Sequence, residues 1–274
     1  MKRLAALAAA VALSTAACIP FRHAPSTLTV LVFNIHAGKD AAGNTSVQAI
    51  AELIRSIEPD VALLQEVDRG TARSGQVDQL QAMMDATGYT GVFGRSLDYD
   101  GGTYGVAALS RKGFVFNQTV PLPIATVQER AGGSHEPRVA LVTVALTPVR
   151  NLQAITTHLD ASAANDIRLQ EVRDLLLPIH ARLGPTRPVL VGGDFNAEPD
   201  SPVIQTLRDA GLRDAWSECG QGDGFTYPAE SPGKRIDYVF LGGSLRCTAA
   251  RVIDTHISDH RPLLVTIELP KSDL

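Results

Sequence analysis

Residues 138–158 read Arg138-Val139-Ala140-Leu141-Val142-Thr143-Val144-Ala145-Leu146-Thr147-Pro148-Val149-Arg150-Asn151-Leu152-Gln153-Ala154-Ile155-Thr156-Thr157-His158. Two apolar runs rich in β-branched residues, 138–147 and 151–158, flank the turn Thr147-Pro148-Val149-Arg150, which predicts an antiparallel hairpin. Strands joined this tightly cannot be parallel, because a parallel pair needs a crossover of roughly a dozen residues or more. Other stretches are helical in period: Val47, Ile50, Leu53, Ile54 and Ile57 recur on one face, with Ser46 placed to cap and Pro59 to stop the helix. A longer helix is predicted over 162–182. Long helices and an antiparallel hairpin in one chain argue against a doubly wound parallel sheet. Two packed sheets with helices outside are the better layered solution.

Further strands are predicted over 28–34, 61–66, 104–110, 113–120, 189–193, 236–241, 246–253 and 262–269, and helices over 76–87 and after Ser201-Pro202. Polar residues stand at the ends of these runs: Asn34, Glu66, His158, Asp194 with Asn196, Asp237, and Asp259 with His260. A buried sheet would deliver such side chains to its rim, where together they describe one site.

The chain has 274 residues, 45% hydrophobic and 20% charged, enough to bury one large core and too apolar for disorder. Residues 1–17 stand apart. Lys2 and Arg3 precede an apolar run from Leu4 to Leu13 and then small residues, the layout of an export signal, and the run is too short to span a bilayer. Cys18 follows Ala16-Ala17 and is the expected lipidated N-terminus of a membrane-associated lipoprotein; cleavage after Ala17 without lipidation is the alternative. Residues 18–27, with Pro20 and Pro25, read as a tether, and the domain spans 28–270.

Loss of Lys2 and Arg3 would move the formal charge from -4 to -6, which argues against a dedicated nucleic-acid-binding surface. An oxidising compartment would allow Cys219 and Cys247 to pair; two buried thiols are the other reading.

Within Gly192-Gly193-Asp194-Phe195-Asn196, the polar pair is two apart in an extended segment and can face one way, a carboxylate to take a proton from water and an amide to orient it. His260 needs an acidic neighbour to fix its tautomer, and Asp237 is the leading candidate. Glu66 ends an apolar strand, where a carboxylate is costly to bury without a partner or a cation. Hard divalent ions prefer such oxygen ligands, and Asn34 can add a neutral oxygen. Zinc-type Cys/His spacing, a Gly-x-Ser-x-Gly elbow and a Walker loop are all missing from the sequence.

The segments Asn34-Ile35-His36, Gln65-Glu66-Val67, Tyr104-Gly105-Val106-Ala107 with Leu109-Ser110-Arg111, Thr157-His158-Leu159, Gly193-Asp194-Phe195-Asn196, Arg235-Ile236-Asp237-Tyr238 and Ser258-Asp259-His260 occur in this order. Together they resemble the signature of the endonuclease/exonuclease/phosphatase superfamily. The resemblance implies a four-layer α/β sandwich of two mixed, mostly antiparallel sheets flanked by helices, and Mg²⁺- or Mn²⁺-dependent cleavage of phosphoester bonds.

Carried over residue by residue, it implies that Glu66 holds the metal with Asn34 and Asp259, and that Asp194 manages the attacking water with Asn196. His158, and His260 oriented by Asp237, would stabilise phosphoryl charge or protonate the leaving group. His36, Tyr104 and Arg138 would reach the substrate phosphate. In nuclease members an upstream glutamate holds the first histidine; Asp98 and Asp100 are the candidates for that place here.

The expected function is an exported phosphodiesterase or phosphatase acting on a lipid headgroup or small phosphodiester, since the Asn34-Ile35-His36-x-Gly and Arg235-Ile236-Asp237-Tyr238 variants resemble small bacterial metal-dependent hydrolases and enzymes associated with glycosylphosphatidylinositol lipids. A secreted or periplasmic nuclease is the alternative, and a non-catalytic binding lipoprotein the third reading.

Overall fold

The computed structural model describes residues 27–122, 136–147, 151–183 and 188–269. The strands of its first half are β1 (Thr27–Asn34), β2 (Val61–Arg69), β3 (Thr90–Tyr99), β4 (Gly102–Ser110), β5 (Phe114–Pro121) and β6 (Val139–Ala145). Those of the second are β7 (Leu152–His158), β8 (Val189–Asp194), β9 (Arg213–Asp214), β10 (Asp237–Gly242), β11 (Arg246–Val252) and β12 (Leu263–Glu268). They form two six-stranded mixed sheets, β11-β12-β1-β2-β4-β3 and β5-β6-β7-β8-β10-β9. The 138–158 hairpin is present as the antiparallel β6/β7 pair, with Ala140 opposite Thr157; its turn, 148–150, lies outside the described residues, as does the predicted lipidation site Cys18.

Alternate side chains of one strand serve two cores. In β1, Leu28, Val30 and Val32 face the other sheet, while Leu31 and Phe33 face the helices α1 (Val47–Ile57) and α2 (Gln79–Thr87). Likewise in β10, Val239 and Leu241 point between the sheets, and Tyr238 and Phe240 point toward α5 (Pro202–Asp209) and the helical stretch of α3 (Asp166–Glu171) and α4 (Leu177–Leu183). Strands buried on both faces read as continuous apolar runs, which is why no polar alternation appears in 28–33 or 189–193. The resulting layers are helices, sheet, sheet, helices. Cys219, in α6 (Ala215–Cys219), is disulfide-bonded to Cys247 of β11, with Cα atoms 5.8 Å apart.

The structure departs from the sequence expectation in several places; α6 and β9, for instance, were not expected. β3 was not anticipated, because Gly91, Gly94, Arg95 and Asp98 interrupt its apolar pattern; it is supported from one side only, by β4. The helix expected from 162 begins at Asp166, since Arg168 donates to the carbonyls of Asp160 and Ser162 and holds 160–165 as a loop. A π-turn, Val172–Leu176, then separates α3 from α4. Finally, Ser46 occupies the cap position of α1 without a side-chain cap hydrogen bond, whereas Asp78 caps α2 by accepting from Gln81 N–H.

Candidate active site

Each sheet contains one parallel pair, β1/β2 and β7/β8, joined through helical crossovers. The carboxyl ends of these pairs carry Asn34 and Glu66 in one sheet and His158 and Asp194 in the other. Antiparallel neighbours start where these strands end: Asp237, first in β10, stands opposite Asp194, and Asp259 and His260 lie just before β12, which runs antiparallel to β1. Topology alone brings residues 34 to 260 to one rim of the sandwich.

Hydrogen bonds lock this rim. Asn34 Nδ2 donates to Glu66 Oε1 at 3.1 Å and to Asp194 Oδ2 at 3.0 Å, while its Oδ1 accepts from His36 N–H at 3.0 Å. All three polar groups of that amide are engaged, so Asn34 ties two carboxylates from opposite sheets together. His260 Nδ1 donates to Asp237 Oδ2 at 2.8 Å, and its Nε2 lies 3.6 Å from Asp194 Oδ2. Buried Ser258 donates to the Asn34 carbonyl at 2.7 Å and accepts from His260 N–H, pinning the 258–260 bend against β1. Arg235 pairs with Asp214 at 2.9 Å and leaves Asp237 to the histidine.

Unusual backbone conformations concentrate here. Glu66 has φ 58°, at a bulge between Leu64 and Val67 in the β2/β4 pairing. On a regular strand Glu66 would follow Leu64 toward the helix layer; the bulge gives that place to Val67 and releases the carboxylate to the rim. Asn196 at φ 47° and His36 at φ 49° are also left-handed, and strain of this kind is held only where surroundings over-determine it. Gly193 has φ 151°, and a Cβ there would lie 1.9 Å from the Thr157 carbonyl oxygen.

Burial and neighbouring charge set the proton affinities. Asp194 is pushed up to about 7 by burial and then by the Asp237 charge, against the pull of His260 and of hydrogen bonds from Asn196 and Asn34. Burial alone would lower His260, but the Asp237 and Asp194 carboxylates outweigh it and raise the imidazole to about 10. Burial holds His158 well below the usual histidine range, and the charges of Arg138 and His260 act in the same direction.

These groups open onto a cavity of about 550 Å³. Glu66, Arg138, His158, Asp194, Asn196, Asp259 and His260 line it, with Asn34 and Asp237 behind them. His36 and Tyr104, expected at the phosphate, are not among the described lining residues. His36 Nδ1 lies 3.6 Å from Asp259 Oδ1, and Tyr104 is buried beneath Arg73. Asp98 and Asp100 are far from the role considered for them: on the β3/β4 hairpin, Asp98 accepts from Arg95 and Asp100 from Arg73 N–H. His158 Nδ1 is met instead by Arg138.

Among the lining residues that sequence reasoning missed are Arg168 and Tyr227. Arg168 shapes the 160–165 wall, and the Tyr227 ring sits 4.8 Å from that of His260. Only the position of Thr226-Tyr227 shortly before the Arg235–Tyr238 segment could have signalled the second.

Two donor sets could hold a divalent cation. Ligand atoms of Asp194, Asp237 and His260 lie within 4.8 Å of one another, but all three side chains are buried and Asp237 Oδ2 is engaged by His260 Nδ1. Glu66 and Asp259 offer carboxylate oxygens at the cavity, and among the described residues no cationic side chain is ion-paired to Glu66. Oxygen ligands on the open side of this cavity fit a hard cation that keeps waters and binds substrate oxygens.

Fold and site thus define a class, the four-layer α/β sandwich hydrolases with an Asp/Asp/His centre at the rim. The sequence model of the Endonuclease/Exonuclease/phosphatase family matches residues 31–260, and this chain belongs to that family. Its members hydrolyse phosphoester bonds, generally with a divalent metal. An endonuclease/exonuclease/phosphatase from Beutenbergia cavernae superposes with a TM-score of 0.78 at 23% identity, over 90% of this chain and 72% of that one. A family protein from Bacteroides thetaiotaomicron gives 0.71 at 18% identity, over 91% and 100%. The mannosyl-6-phosphatase of Bacteroides thetaiotaomicron also gives 0.71 at 18%, over 88% and 100%. No curated protein matches the chain in sequence.

Proposed function

We propose that this protein is an exported, Mg²⁺- or Mn²⁺-dependent hydrolase that cleaves a phosphoester in a compact polar substrate, such as a lipid headgroup or a small phosphodiester. The observation that carries this reading is the convergence of Glu66, Asp259, Asp194, His158 and His260 on one cavity of about 550 Å³, the size of a small-molecule site. Glu66 and Asp259 would hold the cation, whose Lewis acidity would neutralise phosphoryl charge. Asp194, poised near neutrality, accepts the proton of the attacking water, and Asn196 positions it. His260, kept protonated by Asp237, stabilises the developing negative charge or protonates the leaving group.

Ser162, Asn165, Ser201 and Lys234 line the outer part of the cavity, which favours a hydroxylated leaving group over a long polyanion. The formal charge of -4 points the same way. Residues 1–17 and Cys18 support export with a lipid anchor. Among the described residues no helix is long and apolar enough to cross a membrane.

The test is a substrate panel with and without EDTA: a generic phosphodiester, a phosphomonoester, sphingomyelin, a phosphoinositide and plasmid DNA. EDTA-sensitive turnover of a small ester or headgroup is expected. Preference for DNA would replace this substrate class with a nuclease, and EDTA-resistant turnover would reject the metal.

A further inference from the structure

The two histidines of the site are wired in opposite ways. His260 Nδ1 donates to a carboxylate, Asp237, whereas His158 Nδ1 lies 2.7 Å from Nη1 of Arg138. A guanidinium nitrogen has hydrogens to give and no lone pair to offer, so His158 Nδ1 must accept. A neutral imidazole that accepts at Nδ1 carries its proton on Nε2.

That proton has one oxygen within reach, Asp194 Oδ2. Nε2 lies 3.5 Å from Asp194 Oδ2 and 3.1 Å from Asn196 Nδ2, and the Asn196 amide nitrogen donates to the Leu159 carbonyl at 3.0 Å. The Asn196 contact is thus two donors side by side, and the Nε2–H is directed at Asp194 or, in the loaded site, at a phosphoryl oxygen. Arg138 is itself fixed. Only 2% exposed, it forms an ion pair with Glu136 at 2.5 Å, two residues back across Pro137.

We propose that Arg138, backed by Glu136, is a positioning residue that holds His158 as the Nε2–H tautomer, so that His158 presents the substrate with a hydrogen-bond donor and no lone pair. This rests on the reading above in which His158 faces the substrate phosphate. It removes His158 from any role as base toward water, leaves that role to Asp194, and makes Arg138 act through the imidazole.

The test is long-range ¹H–¹⁵N correlation on protein labelled at histidine, with the His158 signals assigned by their loss in His158→Asn. In the wild type, Nε2 should show a protonated and Nδ1 an unprotonated nitrogen. Arg138→Lys, which keeps a cationic donor, should retain this pattern and most activity. Arg138→Met should give mixed or inverted tautomers and a kcat about 10- to 100-fold lower with a smaller change in KM. If lone removal of Arg138 strands the Glu136 charge and prevents folding, the pair Glu136→Gln with Arg138→Met is measured in its place. A protonated Nδ1 in the wild type overturns the proposal, as does Arg138→Met raising KM alone with the tautomer unchanged. The nitrogen spectrum decides this even if no ester in the panel is cleaved, an outcome that would count only against the proposed function.

Discussion

The two sheets repeat one arrangement and furnish different chemistry. In each, a parallel pair, β1/β2 or β7/β8, is flanked by antiparallel strands and ends at the same rim. At that rim the first sheet offers Glu66, half-buried and freed by a bulge, whereas the second offers His158 and Asp194, buried and facing each other in register. Burial separates the roles. A deeply buried carboxylate gains proton affinity and becomes a base near neutral pH, while a carboxylate that meets solvent is suited to a hydrated cation.

The largest effect should come from the buried half. Asp194→Asn is expected to lower kcat by about 10²- to 10⁴-fold with the melting temperature nearly unchanged. Full turnover by the purified variant would end the assignment of Asp194 as base.

Second is packing at the position before each carboxylate. Gly193→Ala should destabilise by about 3 kcal/mol or more, since a Cβ would meet the Thr157 carbonyl, whereas Gln65→Ala, losing a 3.1 Å bond to Thr156, should cost about 1 to 2 kcal/mol. Equal costs in urea titrations would show that the two sheets are not so differently constrained.

Third, Glu66→Gln should raise the Mg²⁺ concentration for half-maximal activity by about 10- to 100-fold, with activity recovered at high metal. An unchanged titration would remove Glu66 from the metal site and break the division between the halves.

The smallest effect lies under the buried half. Burial lifts Glu171 from 4.5 to about 8, so its carboxyl is protonated in the folded protein and ionised in the unfolded chain at intermediate pH. The stability this contributes is complete below about 4.5 and is lost as pH rises through about 8. Glu171→Gln should flatten that decline, gaining on the wild type by about 1 to 3 kcal/mol between roughly pH 5 and 8.5. Parallel stability curves would show that Glu171 is not held neutral.

Much of this was legible in the sequence because two-sided burial leaves long apolar runs and the catalytic groups punctuate their ends. The layers follow from runs such as 28–33 and 189–193 together with the 138–158 hairpin. Less visible was whatever depends on one backbone angle or one distant partner. No local pattern marks the φ of 58° that turns Glu66 to the rim. The 162–182 stretch has helical composition throughout, so neither the loop held by Arg168 nor the π-turn at Val172–Leu176 announces itself. The partner of His158 was sought among acids, yet it is a base from a neighbouring strand's start, and sign cannot be read from spacing.

The C-terminal strand β12 inserts between β11 and the first strand, β1, and the bend before it supplies Asp259 and His260. On the roles proposed above, a chain in which β12 has not yet docked beside β1 would carry Glu66, His158 and Asp194 without the imidazole meant to complete them, and is expected to be inactive. Activity would then be a readout of docking β12, and a truncation that removes this strand is expected to abolish it from more than two hundred residues beyond Asn34.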